Sequence, residues 1–335
     1  MLALKVPLKK AEKTKDKLLK SNLLCMDYSI VKDEDFIFFP VSKRFKTEFE
    51  FADKKFSLRK KEIKTLREAL KEKLSAKELE LAKTAFDTIG SIAILEIDKE
   101  LKAKAVFIAD TLIRINKNIK TVLMKSSSHG GEFRTQKYKW LAGAKTKTAE
   151  CRENNVVLRF DVEKVYFSVR LGTERKRIAE QVKKGEDILV MFSGCAPYPC
   201  VLSKNTLAGE IWGVEKNPEG HRWGMENVKL NKISNARLFC ADVKGFKAEK
   251  RFDRILMPLP KSAEDFLDDA FRLAKDKAVI HFYDFLHRGE FDRAKEKVKA
   301  ACKRNKIKCR FLRLVKCGQH SPRVFRICLD FEIRK

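Results

Sequence analysis

Residues 187–199, Asp-Ile-Leu-Val-Met-Phe-Ser-Gly-Cys-Ala-Pro-Tyr-Pro, narrow the choice of fold more than any other stretch. An apolar run of strand length stops in a turn of small residues and hands over to a helix-like segment. Such a strand–turn–helix unit aims backbone N–H groups and a positive helix end at a ligand. A second apolar run, Glu210-Ile211-Trp212-Gly213-Val214, ends at Glu215, 21 residues beyond Gly194. Nucleotide-binding α/β folds place a ribose-binding carboxylate at about 20 residues. The G-x-G-x-x-G fingerprint is absent, and a pyrophosphate needs close backbone approach at several points, which disfavours NAD. S-adenosylmethionine carries no phosphate and asks only for a shaped turn and an acid. The competing reading is a core strand followed by a solvent-facing Glu.

The surrounding pattern decides between them. Strand-like runs at 188–192, 210–214, 236–240, 252–257 and 278–285 alternate with helical periodicity at 172–183, 200–207, 218–231, 263–275 and 288–305. Asn217 followed by Pro218 is an N-cap with proline in the first turn. Two long strands, 308–315 and 323–333, close the chain. Alternation of this kind predicts an α/β fold with a parallel sheet, and the reversed hairpin at its end is the strand pattern of a class I methyltransferase, a Rossmann-like domain spanning 166–335. Before it, residues 76–165 read as an α+β middle domain. Its helix is expected at 99–116 and its strands at 121–125, 132–141 and 146–152, the last turning through Glu153-Asn154-Asn155 into 156–161. Residues 1–75 read as a small basic module with a strand at Asp35–Val41 and a helix over 57–74, and Ser75-Ala76-Lys77-Glu78 has the capping-box pattern of a new helix.

Charge identifies the class of partner. The chain has 74 Lys and Arg against 46 Asp and Glu, a net charge of +28, which suits a polyanion such as nucleic acid. The uncharged runs are too short to cross a bilayer, and lysines crowd the N-terminus where a signal peptide needs an apolar core. A cytoplasmic protein without membrane contact is expected. The nine cysteines are scattered without C-x-x-C, and the five histidines do not cluster, so neither a disulfide framework nor a metal site is expected.

In a sheet of this type the ligand lies across the carboxyl ends of the strands. Four features converge there: the turn Phe192-Ser193-Gly194-Cys195-Ala196-Pro197-Tyr198, Glu215, Asp242 and Met257-Pro258-Leu259-Pro260. Glu215 suits the ribose and Asp242 the adenine amino edge, while the fourth loop faces the methyl group and its acceptor. With these residues in view the chain resembles the archaeal and eukaryotic tRNA (guanine-37-N1)-methyltransferases over most of its length. The most specific stretches are Tyr166-Phe167-Ser168-Val169-Arg170-Leu171-Gly172-Thr173-Glu174-Arg175-Lys176-Arg177-Ile178, Met191-Phe192-Ser193-Gly194 and Met257-Pro258-Leu259-Pro260-Lys261. The resemblance implies S-adenosylmethionine as donor, guanosine 37 of tRNA as acceptor, and a monomer. It assigns Glu174 as the base that takes the N1 proton and Arg134 as the cation facing guanine O6, with Pro258 beside the acceptor. Arg175 is assigned to the cofactor carboxylate or to bracing Glu174, and Tyr198 or Phe192 to stacking on a ring. Lys216, Val243 and Pro260 join Ser193, Gly194, Ala196, Glu215 and Asp242 in the cofactor set.

Three positions depart from the family pattern: Val190 replaces an Asp, Ala196 replaces the second glycine of the turn, and Pro258 replaces the Asn of Asn-Leu-Pro. Pro258 offers no side-chain amide to a guanine edge. These changes resemble the archaeal subgroup in which some members also methylate C7 of the tricyclic wyosine precursor, and a pocket lacking the amide would admit the larger ring. Two rival readings stay open: an aminocarboxypropyl transferase of wybutosine synthesis, and a non-catalytic basic RNA-binding protein.

Overall fold

The computed structural model describes every residue except 59–64, 129, 260 and 261. The chain divides into two compact units, Met1–Glu68 and Ala69–Lys335.

In the first unit an antiparallel sheet of four strands is ordered Val31–Lys32, Phe36–Pro40, Leu2–Pro7, Glu50–Asp53. Leu4, Val6, Leu18, Phe39 and Val41 form its core, with Leu18 supplied by the helix Ala11–Lys20. The lysines do more than solvate its surface: Lys5 Nζ lies 4.1 Å from the Phe36 ring centre and Lys54 Nζ 4.2 Å from that of Phe38. Of the helix expected over 57–74, residues 59–64 lie outside the described set, and the described part is helical only at Leu66–Leu70.

The second unit is built on seven strands: β1 (Ile188–Met191), β2 (Ile211–Glu215), β3 (Ala236–Cys240), β4 (Phe252–Met257), β5 (Ala274–His287), β6 (Lys308–Ser321) and β7 (Val324–Arg334). Their order is β3-β2-β1-β4-β5-β7-β6, with β7 antiparallel to both neighbours and the first five parallel. The strand order reverses beside β1, so the crevice at the carboxyl ends of β1, β2 and β4 is the place for a ligand. Both faces of the sheet are covered, as unbroken apolar strands require. Ile188 and Val190 pack on one side with Val201 and Phe160, and Leu189 and Met191 on the other with Leu267 and Phe271.

Ahead of this sheet a four-stranded sheet, Asp87–Ile89, Ile92–Leu95, Thr121–Lys125 and Tyr138–Gly143, packs on the helix Ala105–Ile115. Ser75 and Glu78 form the capping box that their spacing predicts. The strand expected at 132–141 is displaced to Tyr138–Gly143, because residues 131–134 turn instead, with Gly131 and Arg134 at φ of 69° and 50°. The hairpin Thr148–Glu153/Val156–Asp161 turns through Asn154 and Asn155 at φ of 42° and 63°, the left-handed pair that suits a two-residue connection.

Two asparagines fasten that hairpin to the catalytic sheet. On the helix Pro218–Leu230 and its C-cap, Asn227 Oδ1 accepts from Arg159 N at 2.7 Å, and Asn227 Nδ2 donates to Arg159 O and Cys195 O, both at 2.9 Å. Asn231 repeats the exchange with Val157 N (2.8 Å) and Val157 O (2.7 Å). Side-chain amides here take the place of a neighbouring strand.

Where the parallel strands meet the reversed hairpin, the core is polar. Arg254 on β4 pairs with Glu186 and touches His281 Nε2 at 2.7 Å; His281 Nδ1 lies 2.6 Å from Asp330, which also binds Arg177. Arg254 is a donor, so His281 Nε2 is an acceptor and the ring is neutral, with its proton on Nδ1 toward Asp330. Burial, the larger influence, holds the histidine below its usual pKa. Among the described residues His281, Cys328 and Asp330 are a trio spaced to hold a metal, and the guanidinium groups of Arg254 and Arg177 bond to His281 and Asp330 of that trio.

Asn227→Ala strips partners from one part-buried N–H and two C=O groups, and is expected to destabilise the fold by about 2–4 kcal/mol, measured by denaturant unfolding.

Candidate active site

The turn after β1 is strained. Phe192, Gly194 and Ala196 all have positive φ, 60°, 56° and 61°, and two of them carry side chains. Left-handed backbone at non-glycine residues persists only where the surroundings over-determine it. Here Ser193 N donates to Val214 O and Ala196 N to Ser193 O, both at 2.9 Å. Gly213 opposite leaves room, since a Cβ there would stand 3.1 Å from that of Ser193.

Glu215, at the end of β2, completes the turn. Its Oε2 accepts from Gly194 N at 2.6 Å and its Oε1 from Asn217 N at 2.7 Å. Burial raises the pKa of this carboxyl, opposed by those backbone donors. The carboxylate lines the cavity in front of it. Asp242, beyond β3, accepts from Lys216 Nζ at 2.7 Å and from Lys244 N at 2.9 Å. Lys216 also reaches Glu132 at 2.6 Å and so ties the two strand ends to the 131–134 turn. Its two carboxylate hydrogen bonds raise its pKa, and the Lys216 contact depresses that of Asp242.

These residues bound a cavity of about 200 Å³ with a mainly apolar wall. Phe192 and Phe266 meet edge to face at 4.8 Å beside the buried Val243. Arg134 and Tyr166 close the side toward the middle domain, and Pro258 and Leu259 the side toward β4. The donor set suits an adenosyl ligand: an acidic pair, aromatic walls, and a lysine already neutralised by two acids, with no cradle for a pyrophosphate.

The expected residues therefore divide. Arg134, Phe192, Gly194, Glu215, Lys216, Asp242, Val243 and Pro258 share the cavity wall. Ser193 and Ala196 are buried behind it and shape the turn. Pro260 lies outside the described residues. Three others lie away from the cavity wall in this structure. Glu174 is 4% exposed and does not line the cavity; it accepts from Arg177 Nε and Nη2 and from the Tyr283 hydroxyl, each at 2.7 Å. Arg175 neither faces the cavity nor braces Glu174: Glu153 binds it in bidentate fashion, Nη2 to Oε2 at 2.6 Å, and it lies over the Phe167 ring at 5.1 Å. Tyr198 stacks on nothing in the cavity, because its ring is buried and its hydroxyl is 2.8 Å from that of Tyr283. The reason is common to all three. A helix beside the cleft also has a core face, and long polar side chains on that face end up paired inside.

Phe133, Tyr166, Asn217 and Phe266 are wall residues that the sequence reading left without a role. Tyr166 begins the most specific stretch and Asn217 is the N-cap, so both carried a signal. Phe266 had none, being brought in by its contact with Phe192 across the fourth loop.

A seven-stranded sheet of this order, with a carboxylate-bearing cleft at its switch point, defines an S-adenosylmethionine-dependent class I methyltransferase. Residues 149–310 match the TRM5/TYW2 methyltransferase domain, 66–146 the TYW2 N-terminal domain and 3–50 the tRNA methyltransferase 5 N-terminal domain. The chain is 33% identical to the tRNA (guanine(37)-N(1))-methyltransferase Trm5b of Pyrococcus abyssi over 99% of both proteins. It belongs to the TRM5/TYW2 family. Its fold superposes on the complex structure of aTrm5 and tRNALeu with a TM-score of 0.85, at 29% identity and 99% coverage of each chain. On Pyrococcus horikoshii TYW2 in complex with MeSAdo the TM-score is 0.70, at 26% identity, covering 81% of this chain and 98% of the other.

Glu215→Ala removes a carboxylate from the cavity wall and unties the turn. Adenosylhomocysteine affinity, measured by calorimetry, is expected to fall by about 1–3 kcal/mol.

Proposed function

We propose that this protein is a monomeric cytoplasmic enzyme that methylates N1 of guanosine 37 in tRNA. The observation that carries this reading is the meeting, in one cavity, of the Glu215 carboxylate with Arg134 and Pro258. S-adenosylmethionine supplies an electrophilic methyl group. Glu215 takes the ribose hydroxyls, Asp242 the adenine amino group, and Phe192, Phe266 and Val243 enclose the ring. Arg134 faces guanine O6, where negative charge gathers as N1 loses its proton. A purine stacked in an anticodon loop must be splayed out to reach this depth, and the exposed rings of Phe133 and Tyr166 offer surfaces for it at the rim.

Glu174 is proposed as the acceptor of the N1 proton when RNA is bound. It must then exchange Arg177 or Tyr283 for the purine, since catalytic hydrogen bonds often form only in the loaded complex. No helix of the described residues is long and apolar enough to cross a membrane, and the +28 charge is left for the RNA.

A second reading rests on Pro258 at the cavity wall. With no amide there to grip a guanine edge, the pocket would also take the tricyclic wyosine precursor and methylate its C7. Mass spectrometry of nucleosides from treated tRNA, with guanosine and tricyclic substrates in parallel, separates the two. Incorporation of the cofactor's side-chain label in place of its methyl label would instead mean aminocarboxypropyl transfer.

Glu174→Gln is expected to lower single-turnover rates by about 10²-fold or more while tRNA affinity stays within about twofold. Unchanged turnover would remove Glu174 from proton transfer. Affinity for tRNA should fall linearly on a log–log plot against salt, as counterions are released; a flat profile would mean that the positive charge serves another purpose.

A further inference from the structure

A second cavity, of about 320 Å³, lies on the other side of Tyr166. Its wall comes from the middle-domain strands (Lys125, Tyr138), the 166–170 segment, and the paired ends of β6 and β7 (Gln319, Arg326). Three arginines are buried among the described residues: Arg175, Arg254 and Arg326. Arg175 is neutralised by Glu153 and Arg254 by Glu186. Arg326 lines this cavity at 8% exposure and has no carboxylate partner among the described residues. Its Nη2 donates to the Tyr166 hydroxyl at 2.8 Å and its guanidinium lies 5.1 Å from the Phe285 ring centre, while its Nε is buried with no acceptor among the described residues. A buried guanidinium left in that state is costly unless something anionic completes it.

The rim adds to the imbalance. Lys125 and Arg170 share the single carboxylate Asp87, at 3.8 and 2.6 Å, so three cations face one acid. The aromatic residues Tyr138, Phe167 and Phe285 line the same cavity. A phosphodiester fits this lining: one negative charge, and two terminal oxygens to meet the edge of a guanidinium.

Resting on the reading of the first cavity as the methylation site, we propose that the second cavity is a phosphate subsite, with Arg326 binding a phosphodiester that flanks the target nucleotide. The base enters on one side of Tyr166 and the backbone is held on the other, so Arg326 fixes how far the nucleotide is drawn in. The Tyr166 hydroxyl keeps the guanidinium aimed.

The test uses the full chain and synthetic tRNA carrying one neutral methylphosphonate linkage, placed 5′ or 3′ of nucleotide 37. For the native protein, one of the two linkages should raise Kd for tRNA about tenfold. Arg326→Met should raise Kd by a similar factor with unmodified tRNA, show no further loss with that linkage, and flatten the salt slope by about 0.7–0.9. Its affinity for adenosylhomocysteine should be unchanged, and Arg326→Lys should recover part of the loss. Indifference of the native protein to both linkages overturns the proposal even if Arg326→Met does not fold. So do two penalties that multiply, or a variant that loses adenosylhomocysteine and keeps tRNA, which would assign the cation to the cofactor's carboxylate. Failure of the methyltransferase reading is distinct: the native protein would transfer no methyl group to any tRNA.

Discussion

The arrangement depends on a pair of side-chain amides. Asn227 and Asn231 stand one helical turn apart and present donor and acceptor groups in the rhythm of a strand edge, and the hairpin 148–161 pairs with them. Through that hairpin the middle domain is held against the catalytic sheet, so the 131–134 turn brings Arg134 and Glu132 to the cofactor cavity. Asn227 does this while also holding Cys195 O, within the turn after β1. One residue therefore fixes the ligand-binding turn and the domain that covers it, and a shift of one would move the other.

Two kinds of buried charge serve different ends in this protein. The chain Glu186–Arg254–His281–Asp330–Arg177–Glu174 runs beneath the join between parallel strands and reversed hairpin, and nearly every member has a partner of opposite sign or a hydrogen bond. Such a network contributes little net stability over an apolar core, but it sets the register of β5 and β7 and fixes the helix that carries Glu174. The cavities are the opposite case. Glu215 lines one cavity and Arg326 the other, and among the described residues the Arg326 Nε has no acceptor.

Tyr166 is the hinge of this design. It belongs to the linker between middle domain and catalytic sheet, borders both cavities, and receives a hydrogen bond from Arg326. An RNA strand that inserts a base on one side and leaves its backbone on the other would straddle this ring. The protein's large positive charge brings RNA to the surface without choosing a nucleotide. The selection falls to a few groups at the cleft.

Much of this was legible in the chain itself. The order of apolar runs, the small-residue turn and the final hairpin determined a class I methyltransferase sheet, because strand length, turn chemistry and alternation are local properties. Glu215 and Asp242 were legible for the same reason, Glu215 ending one strand and Asp242 lying just past another. The capping box at Ser75 and the Asn154-Asn155 turn were likewise written in short-range chemistry. What only the tertiary structure decided is which polar residues face the cleft and which are spent inside. Glu174, Arg175 and Tyr198 stand close in sequence to cleft residues, yet their partners, Asp330 by way of Arg177, Glu153 and Tyr283, come from distant segments. Phe266 and Arg326 reached cavity walls with no local mark. Helical periodicity says that a side chain points inward, but whether it meets a ligand or a counter-charge depends on pairings between segments that no local window contains.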